Sequence, residues 1–442
     1  MVVTVSIPLT SWGRYPAELQ AAHPCAWRND LDDQMLRVTD EHGSTLPFGN
    51  GRSYGDSCLA ESDHVLHLRP LNRFIEANWQ TGEICAEAGV TLGEVLELSV
   101  PRGWFLQVTP GTRHVTLGGA VANDVHGKNH HCRGTFAHSV LRFGLHRSGQ
   151  SPMVCSPTEN PQWFAATLGG LGLTGVISWV SIRLRRIQSS RIDTTRVRFG
   201  RLSEFFALST ELDASHEYSV AWIDCLAMGA ALGRGVITVG DHSEHGVLET
   251  PPGRVMNIPA RPPISLVNRF MVGIFNRCYW HLQPAGRKNR TVAYSPFFYP
   301  LDSIEHWNRI YGRKGFQQFQ CVIPQSVAED ALAQLLNVIA HSAMGSFLAV
   351  LKRCGDIASP GLLSFPMPGT SLALDFPQNR ALSDTLLPRL DAIVHEAGGR
   401  LYPAKDAHMS ARDFQRAYPA WEQLEAMRDP VLMSHFWQRV TR

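Results

Sequence analysis

The stretch TPGTRHVTLGGAVANDVHGKNHH, residues 109–131, decides how the rest of the chain is read. Gly111, Gly118, Gly119 and Gly127 allow a ligand to approach the backbone where a Cβ would obstruct it, and Thr112 and Thr116 add hydroxyl donors. Gly-Gly-Ala-Val-Ala suits tight packing of the chain against a flat ligand. His126, Lys128, His130 and His131 crowd the end of the stretch. His126 and His130 have the spacing of two metal ligands on one helix, but Gly127 lies between them and no carboxylate or thiolate pair completes a set, so no metal site is expected. The expected use is polar contact with a cofactor or an anionic substrate, with Lys128 as a point charge.

Three further motifs flank this one. In PFGNGRSYGDS, residues 47–57, three glycines within seven residues can present successive N–H groups to a pyrophosphate, the alternative being a plain surface turn. GGLGLTG, residues 169–175, matches the G-x-G-x-x-G pattern, yet a helical pattern precedes it and a strand pattern follows it. That order is the reverse of the dinucleotide fingerprint, so a Rossmann site is excluded and a helix-to-strand glycine turn against a cofactor is expected. In RLYPAKDAHMS, residues 400–410, Lys405 is a candidate base or anion anchor if desolvated, or else a surface ion pair with Asp406.

At 442 residues the chain exceeds what one core can hold, and two or three are expected. A net charge of +2 argues against a nucleic-acid binder. The sum hides an asymmetry: between Glu249 and Asp302 there are seven basic residues and no acidic one, leaving 34 basic against 39 acidic elsewhere. Nine scattered cysteines without a C-x-x-C pair fit free thiols in a reducing compartment. No signal peptide is read at the N-terminus. No apolar run is long enough to span a membrane, the nearest being residues 265–282. The expected fold is α+β in two domains. Helices are expected at 92–99, 160–168, 202–212, 326–341 and 386–397, where Pro388 falls in the first turn. Strands are expected at 64–68, 84–88, 176–184, 220–224, 235–239, 316–323, 346–353 and 371–376.

In this order GNGRSYGD, PGTRHVTLGGAVANDVHGKNHH, GGLGLTG, YSVAWID, RKGFQQFQCVIP and GGRLYPAKD resemble the vanillyl-alcohol-oxidase-type FAD enzymes, and among them the oxidases of polyprenyl-phosphate-linked ribose. The likeness runs from about residue 47 to the C-terminus. It implies an FAD-binding domain (1–188) and a substrate-binding domain with an antiparallel sheet (189–398), followed by a C-terminal segment (399–442) returning to the FAD-binding domain. It implies FAD contacts at Pro47, Gly49, Asn50, Gly51, Arg52, Ser53, Tyr54, Gly55, Gly111, Thr116, Leu117, Gly118, Gly119, Asn123, Val125, His126, Ile177 and Tyr402. Arg52 stands where many relatives carry the histidine that bonds FAD, so noncovalent flavin is expected. The substrate side implied is Lys128, Trp222, Gln318, Gln320, Lys352, Ser371 and Lys405, with Lys405, His126 and Tyr54 as catalytic candidates.

The implied reaction oxidises the 2′-hydroxyl of a polyprenylphosphoryl-β-D-ribose, with hydride passing to the flavin. An NAD(P)H-dependent short-chain reductase would complete an epimerisation toward an arabinose donor for the cell envelope. The rival is an FAD oxidase of a soluble sugar, alditol or aldonolactone. Where the family has an asparagine, a cysteine and a tyrosine, this chain has Ser371, Ala373 and Phe298, which alters the pocket wall. The expected location is cytoplasmic, with the basic interval touching the inner face of the membrane. The alternative for that interval is a solvated loop.

Overall fold

The computed structural model describes residues 8–250, 255–342 and 344–442. Arg254 of the basic interval lies outside them. The N-terminal part opens with a small parallel sheet of β1 (Ala21–Pro24), β2 (Leu46–Phe48) and β3 (His64–His67), with β3 in the middle. Helix α1 (Leu31–His42) covers it. This helix was not apparent in a polar sequence, and it forms because Leu31, Met35 and Val38 recur on one face and bury against Leu66 and Leu68.

A second sheet of six strands follows: Phe74–Asn78, Glu83–Glu87, Val176–Arg186, Val140–His146 and Met153–Cys155, with Trp104–Leu106 on the other part of Val176–Arg186. The helix Leu92–Ser99 begins as expected, with a reciprocal cap between Thr91 and Glu94. The glycine turn 169–175 does join a helix, Pro161–Thr167, to the strand Val176–Arg186.

The third sheet has eight antiparallel strands in the order Arg287–Ala293, Arg191–Phe199, Gly235–His242, Tyr218–Ile223, Ala349–Cys354, Gly369–Pro377, Phe316–Pro324 and Arg400–Leu401. The chain passes from the second sheet to the third at 187–190. Alternation sorts the third sheet into two faces. Phe319, Cys321, Ile323, Leu351, Leu372, Leu374, Ile237 and Val239 pack under helices Leu202–Asp213, Ala328–His341 and Leu387–Glu396. Their neighbours in the strands, among them Gln318, Gln320, Lys352, Ser371, Ala373 and Asp375, face a cavity. Pro388 sits at the start of its helix, after a wider turn at 382–386.

The C-terminal segment starts as the edge strand Arg400–Leu401 of the third sheet and then crosses to the N-terminal part. Phe414, Phe436, Trp437 and Val440 share one core with Leu46, Phe48, Ala60 and Val65. Arg439 locks the two together: its guanidinium donates to Asp56 Oδ1 and Oδ2 at 2.9 and 3.0 Å and to Asp406 Oδ2 at 2.9 Å. Both carboxylates are buried. Although burial alone would raise the pKa of Asp406, the charges of Arg439 and His408 hold it below the usual carboxylate value. Replacing Arg439 with Leu leaves buried Asp56 without a cation and Asp406 with His408 alone. The expected cost is about 3–5 kcal/mol, read by denaturant unfolding, and an unchanged midpoint would refute the role.

Candidate functional site

One cavity of ≈ 760 Å³ runs between the glycine-rich loops and the open face of the eight-stranded sheet, well within the usual range of ligand sites. Its first end is backbone-rich: Pro47, Gly49, Asn50, Gly51, Arg52, Ser53 and Tyr54 from the loop after β2, then Gly111, Thr116, Gly118 and Gly119. Asn123, Val125, His126, Ile177 and Tyr402 also line it. Two expected contacts lie elsewhere. Leu117 is wholly buried in the core of the six-stranded sheet. Gly55 packs against the next loop, since a Cβ there would stand 1.6 Å from the Asp406 carbonyl oxygen. Gly51, with φ +57, adopts a left-handed conformation that suits glycine.

The second end holds Lys128, Trp222, Gln318, Gln320, Lys352, Ser371 and Lys405, so every expected substrate residue faces the same space. Phe298 and Ala373 also line it. Register explains the clustering, because Gln318 pairs with Asp375, Gln320 with Ala373 and Lys352 with Ser371. Lys405 follows the edge strand: Tyr402 N–H donates to Gln320 O and Tyr54 N–H to Ala404 O, which hangs the Lys405 turn between the sheet and the first glycine loop. Its ammonium lies 3.6 Å from the centroid of the Tyr54 ring. Lys405 is thus a desolvated amine, and Asp406 pairs with Arg439 instead of with it.

Burial governs the electrostatics here. It lowers Lys405 to about 7, against a smaller opposing pull from Asp375. It raises Asp375 to about 7, opposed by the Gln318 hydrogen bond and the Lys405 charge. Each charge favours the other across the cavity wall. Gln318 Nε2 donates to Asp375 Oδ1 at 2.6 Å, while Asp375 Oδ2 has no partner among the described residues. Asp375 was not singled out from the sequence, although it is an acid in the otherwise apolar run SLALDFP and in phase with Ser371. Burial also holds His126 well below the usual imidazole value, with the Lys352 charge adding to it. Gln320 Nε2 lies 3.3 Å from His126 Nε2, so the amide donates to an unprotonated nitrogen. Burial raises the Tyr54 hydroxyl far above its ordinary value, which leaves its ring as the useful part.

Lys128 and Lys352 are half-buried at the cavity wall, and their ammonium groups donate to the carbonyls of Phe298 (3.2 Å) and Gly127 (2.9 Å). Burial lowers Lys128 to about 8. His130 turns away, its Nδ1 accepting from Gly355 N–H, and His131 contacts the His216 carbonyl.

Comparison with known proteins agrees with this geometry. Residues 30–146 match the FAD binding domain family. The chain is 31% identical, over 97% of its length and 95% of the relative's, to decaprenylphosphoryl-beta-D-ribose oxidase of Mycolicibacterium smegmatis. It is 22% identical to L-gulonolactone oxidase of Bos taurus over 87% of this chain and 85% of the relative. A D-arabinono-1,4-lactone oxidase of Yarrowia lipolytica matches at 22% over 39% of this chain and 33% of the relative.

The protein is an FAD-dependent oxidoreductase of the class acting on CH–OH groups, with an α+β, two-domain flavoprotein fold. Within that class the chain belongs to the decaprenylphosphoryl-β-D-ribose oxidase family. The residues present fit FAD. The loops at 49–55 and 111–119 offer backbone to an elongated ligand, and Arg52 Nε and His126 Nδ1 are buried on the cavity wall without partners among the described residues. A methyl group at Gly49 would meet Thr116 Oγ1 at 2.5 Å, the hydroxyl that accepts from Gly119 N–H. Gly49→Ala should therefore purify with several-fold less FAD while keeping its far-UV spectrum; full flavin content would show that this cradle does not bind the cofactor.

Proposed function

We propose that this chain oxidises the 2′-hydroxyl of a polyprenylphosphoryl-β-D-ribose to the 2′-keto sugar, using noncovalently held FAD. The observation that supports this reading is one cavity in which desolvated lysines face the amides of Gln318 and Gln320, with an amphipathic helix at its rim. Residues 1–188 and 399–442 would form the FAD-binding part and 189–398 the substrate part. The residues of the first cavity end would hold the cofactor, which supplies the hydride acceptor.

Lys405 takes the proton from the 2′-oxygen as its free amine, and the charge of Asp375 raises its proton affinity. The Tyr54 ring supports the ammonium that results. His126 stays neutral and, through Gln320, orients the sugar. The spare carbonyl of Gln318 accepts from a second hydroxyl. Lys128 and Lys352 supply positive charge for the phosphate, whose arrival would keep both protonated. Ser371 and Ala373 widen the wall opposite Lys352 and Val350.

The lipid would reach the cavity over the helix Arg269–His281. Asn268 caps this helix by accepting from Met271 N–H, and Val272 and Asn276 bury inward. The other face exposes Phe270 (73%), Ile274 (47%) and, just beyond, Leu282 (80%), with Ile264 (75%) alongside. Phe275 and Tyr279 line the cavity itself. An amphipathic helix with exposed Arg261 and Arg277 nearby suits the surface of an anionic membrane. The described residues include no helix long and apolar enough to cross one. The proposed setting is peripheral, at the inner face of the cell membrane, with a short-chain NAD(P)H reductase taking the keto product.

Anaerobic bleaching of the flavin should follow addition of polyprenylphosphoryl ribose and not of free ribose, alditols or aldonolactones. Bleaching by a soluble polyol alone would favour the rival. Denaturation should release the FAD, and flavin left on the chain would refute noncovalent binding. Lys405→Met should keep FAD and slow bleaching by about 10²–10⁴-fold. In the wild type the bleaching rate should fall as the pH drops through about 7, where the amine protonates. Asp375→Asn removes the charge that raises the Lys405 pKa, so the acid limb should move to lower pH; a limb that stays put would exclude coupling between the two. Ser at both Phe270 and Ile274 should weaken binding to anionic vesicles with FAD content unchanged, and undiminished binding would leave the helix without a membrane role.

A further inference from the structure

Away from the cavity, three histidines remote in sequence converge at the rim of the parallel sheet. His23 comes from β1, His64 opens β3 and His42 closes α1. One ring nitrogen from each lies within 4.8 Å of the other two. His23 Nε2 and His64 Nδ1 are 3.0 Å apart, and the rings of His42 and His64 stack with centroids 3.4 Å apart. None of the three lines the cavity.

This contact set leaves ring nitrogens close together and unused, and His42 would turn out of its parallel stack on His64 to bring its lone pair to a shared ion. Two imidazolium rings would repel at such distances, and two neutral rings satisfy only one nitrogen pair between them. Among the described residues, the remaining ring nitrogens have no hydrogen-bond partner. A nitrogen separation of 3.0 Å is near the edge of a tetrahedron whose metal–nitrogen bonds are about 2.0–2.1 Å. Glu41 provides a carboxylate at the same corner, with Oε2 3.6 Å from His42 Nε2. All three rings are half-buried and so reachable from solvent.

We propose that His23, His42 and His64 bind a divalent ion of the zinc class, with Glu41 or water as the fourth ligand. Imidazole with one carboxylate selects zinc over magnesium or calcium, which prefer oxygen donors. The ion would tie the end of α1 to β1 and β3. Because β3 pairs with β2, and β2 runs directly into the first glycine loop, the site braces the strand that presents that loop to the cavity. The sequence hides it, since 18 residues separate His23 from His42 and a further 21 separate His42 from His64.

The test uses untagged, full-length, FAD-loaded protein stripped with a chelator and dialysed against Zn²⁺. About one zinc per chain is expected, together with a rise in Tm on zinc addition. Co²⁺ in its place should give the visible bands of a tetrahedral site, read as a difference spectrum against the flavin. His23→Ala and His42→Ala should each weaken binding by about 100-fold, with flavin absorbance confirming that the variants are folded. His245→Ala, outside the cluster, should bind zinc as the wild type does. Retention of about one zinc in both cluster variants would overturn the proposal, as would no zinc uptake by the wild type.

Discussion

Arg439 between Asp56 and Asp406 is the interaction on which the site depends. One carboxylate ends the first glycine loop and the other follows Lys405, so a single guanidinium fixes the distance between the cofactor-facing loop and the candidate base. The approach is only possible because residue 55 has no side chain, a Cβ there falling almost on the Asp406 carbonyl. Burying three charges together is costly, and the cost is offset only when all three are present with good geometry. That makes the contact brittle. It also converts the far C-terminal helix His435–Thr441 into part of the site's support, although none of its residues lines the cavity.

The eight-stranded sheet supplies the rest through the period of two. One face is closed by three helices and is mainly apolar, so register slippage would drive Gln318, Lys352 and Asp375 into hydrocarbon. The other face can then carry polar groups at low dielectric without loss of the fold. The perturbed Lys405 and Asp375 follow from that placement: burial disfavours both charged forms, lowering the amine and raising the acid, and each opposite charge offsets only part of it.

How much of this the sequence discloses depends on the kind of signal. Gly-rich loops and alternating strands are local, and five of the thirteen α-helices among the described residues were legible from spacing alone. Gly55 and Leu117 show the limit, since a glycine in a cofactor-like loop can serve packing between loops as readily as ligand approach. Asp375 went unnoticed because one acid in a strand is meaningful only once its partner, 30 residues later, is seen beside it. Helix α1 was obscured by its polar composition, with three apolar residues sufficient to bury one face. The numerous polar residues made that narrow stripe hard to distinguish from a loop.

The basic interval illustrates the same point from the opposite side, because a sum of charges says nothing about their uses. Arg269 donates to the carbonyls of Ala340 and Ser342, closing the end of the helix Ala328–His341. Arg287, Lys288 and Arg290 lie on the outermost strand of the large sheet, where charged side chains discourage pairing with another chain. Arg287 also pairs with Glu211. Structural duties thus absorb four of the six cations among the described residues, leaving Arg261 and Arg277 exposed near the helix Arg269–His281. What sets this segment apart is therefore less its charge than its unburied apolar face. Asn276 holds the helix by donating to buried Asp224 at 2.9 Å, a polar anchor that fixes its rotation. With that rotation fixed, Phe275 and Tyr279 must face the cavity while Phe270 and Ile274 must face outward. A free helix would turn its apolar side inward. This one is prevented from doing so, which is the arrangement required of an apolar path from an outer surface to a polar site.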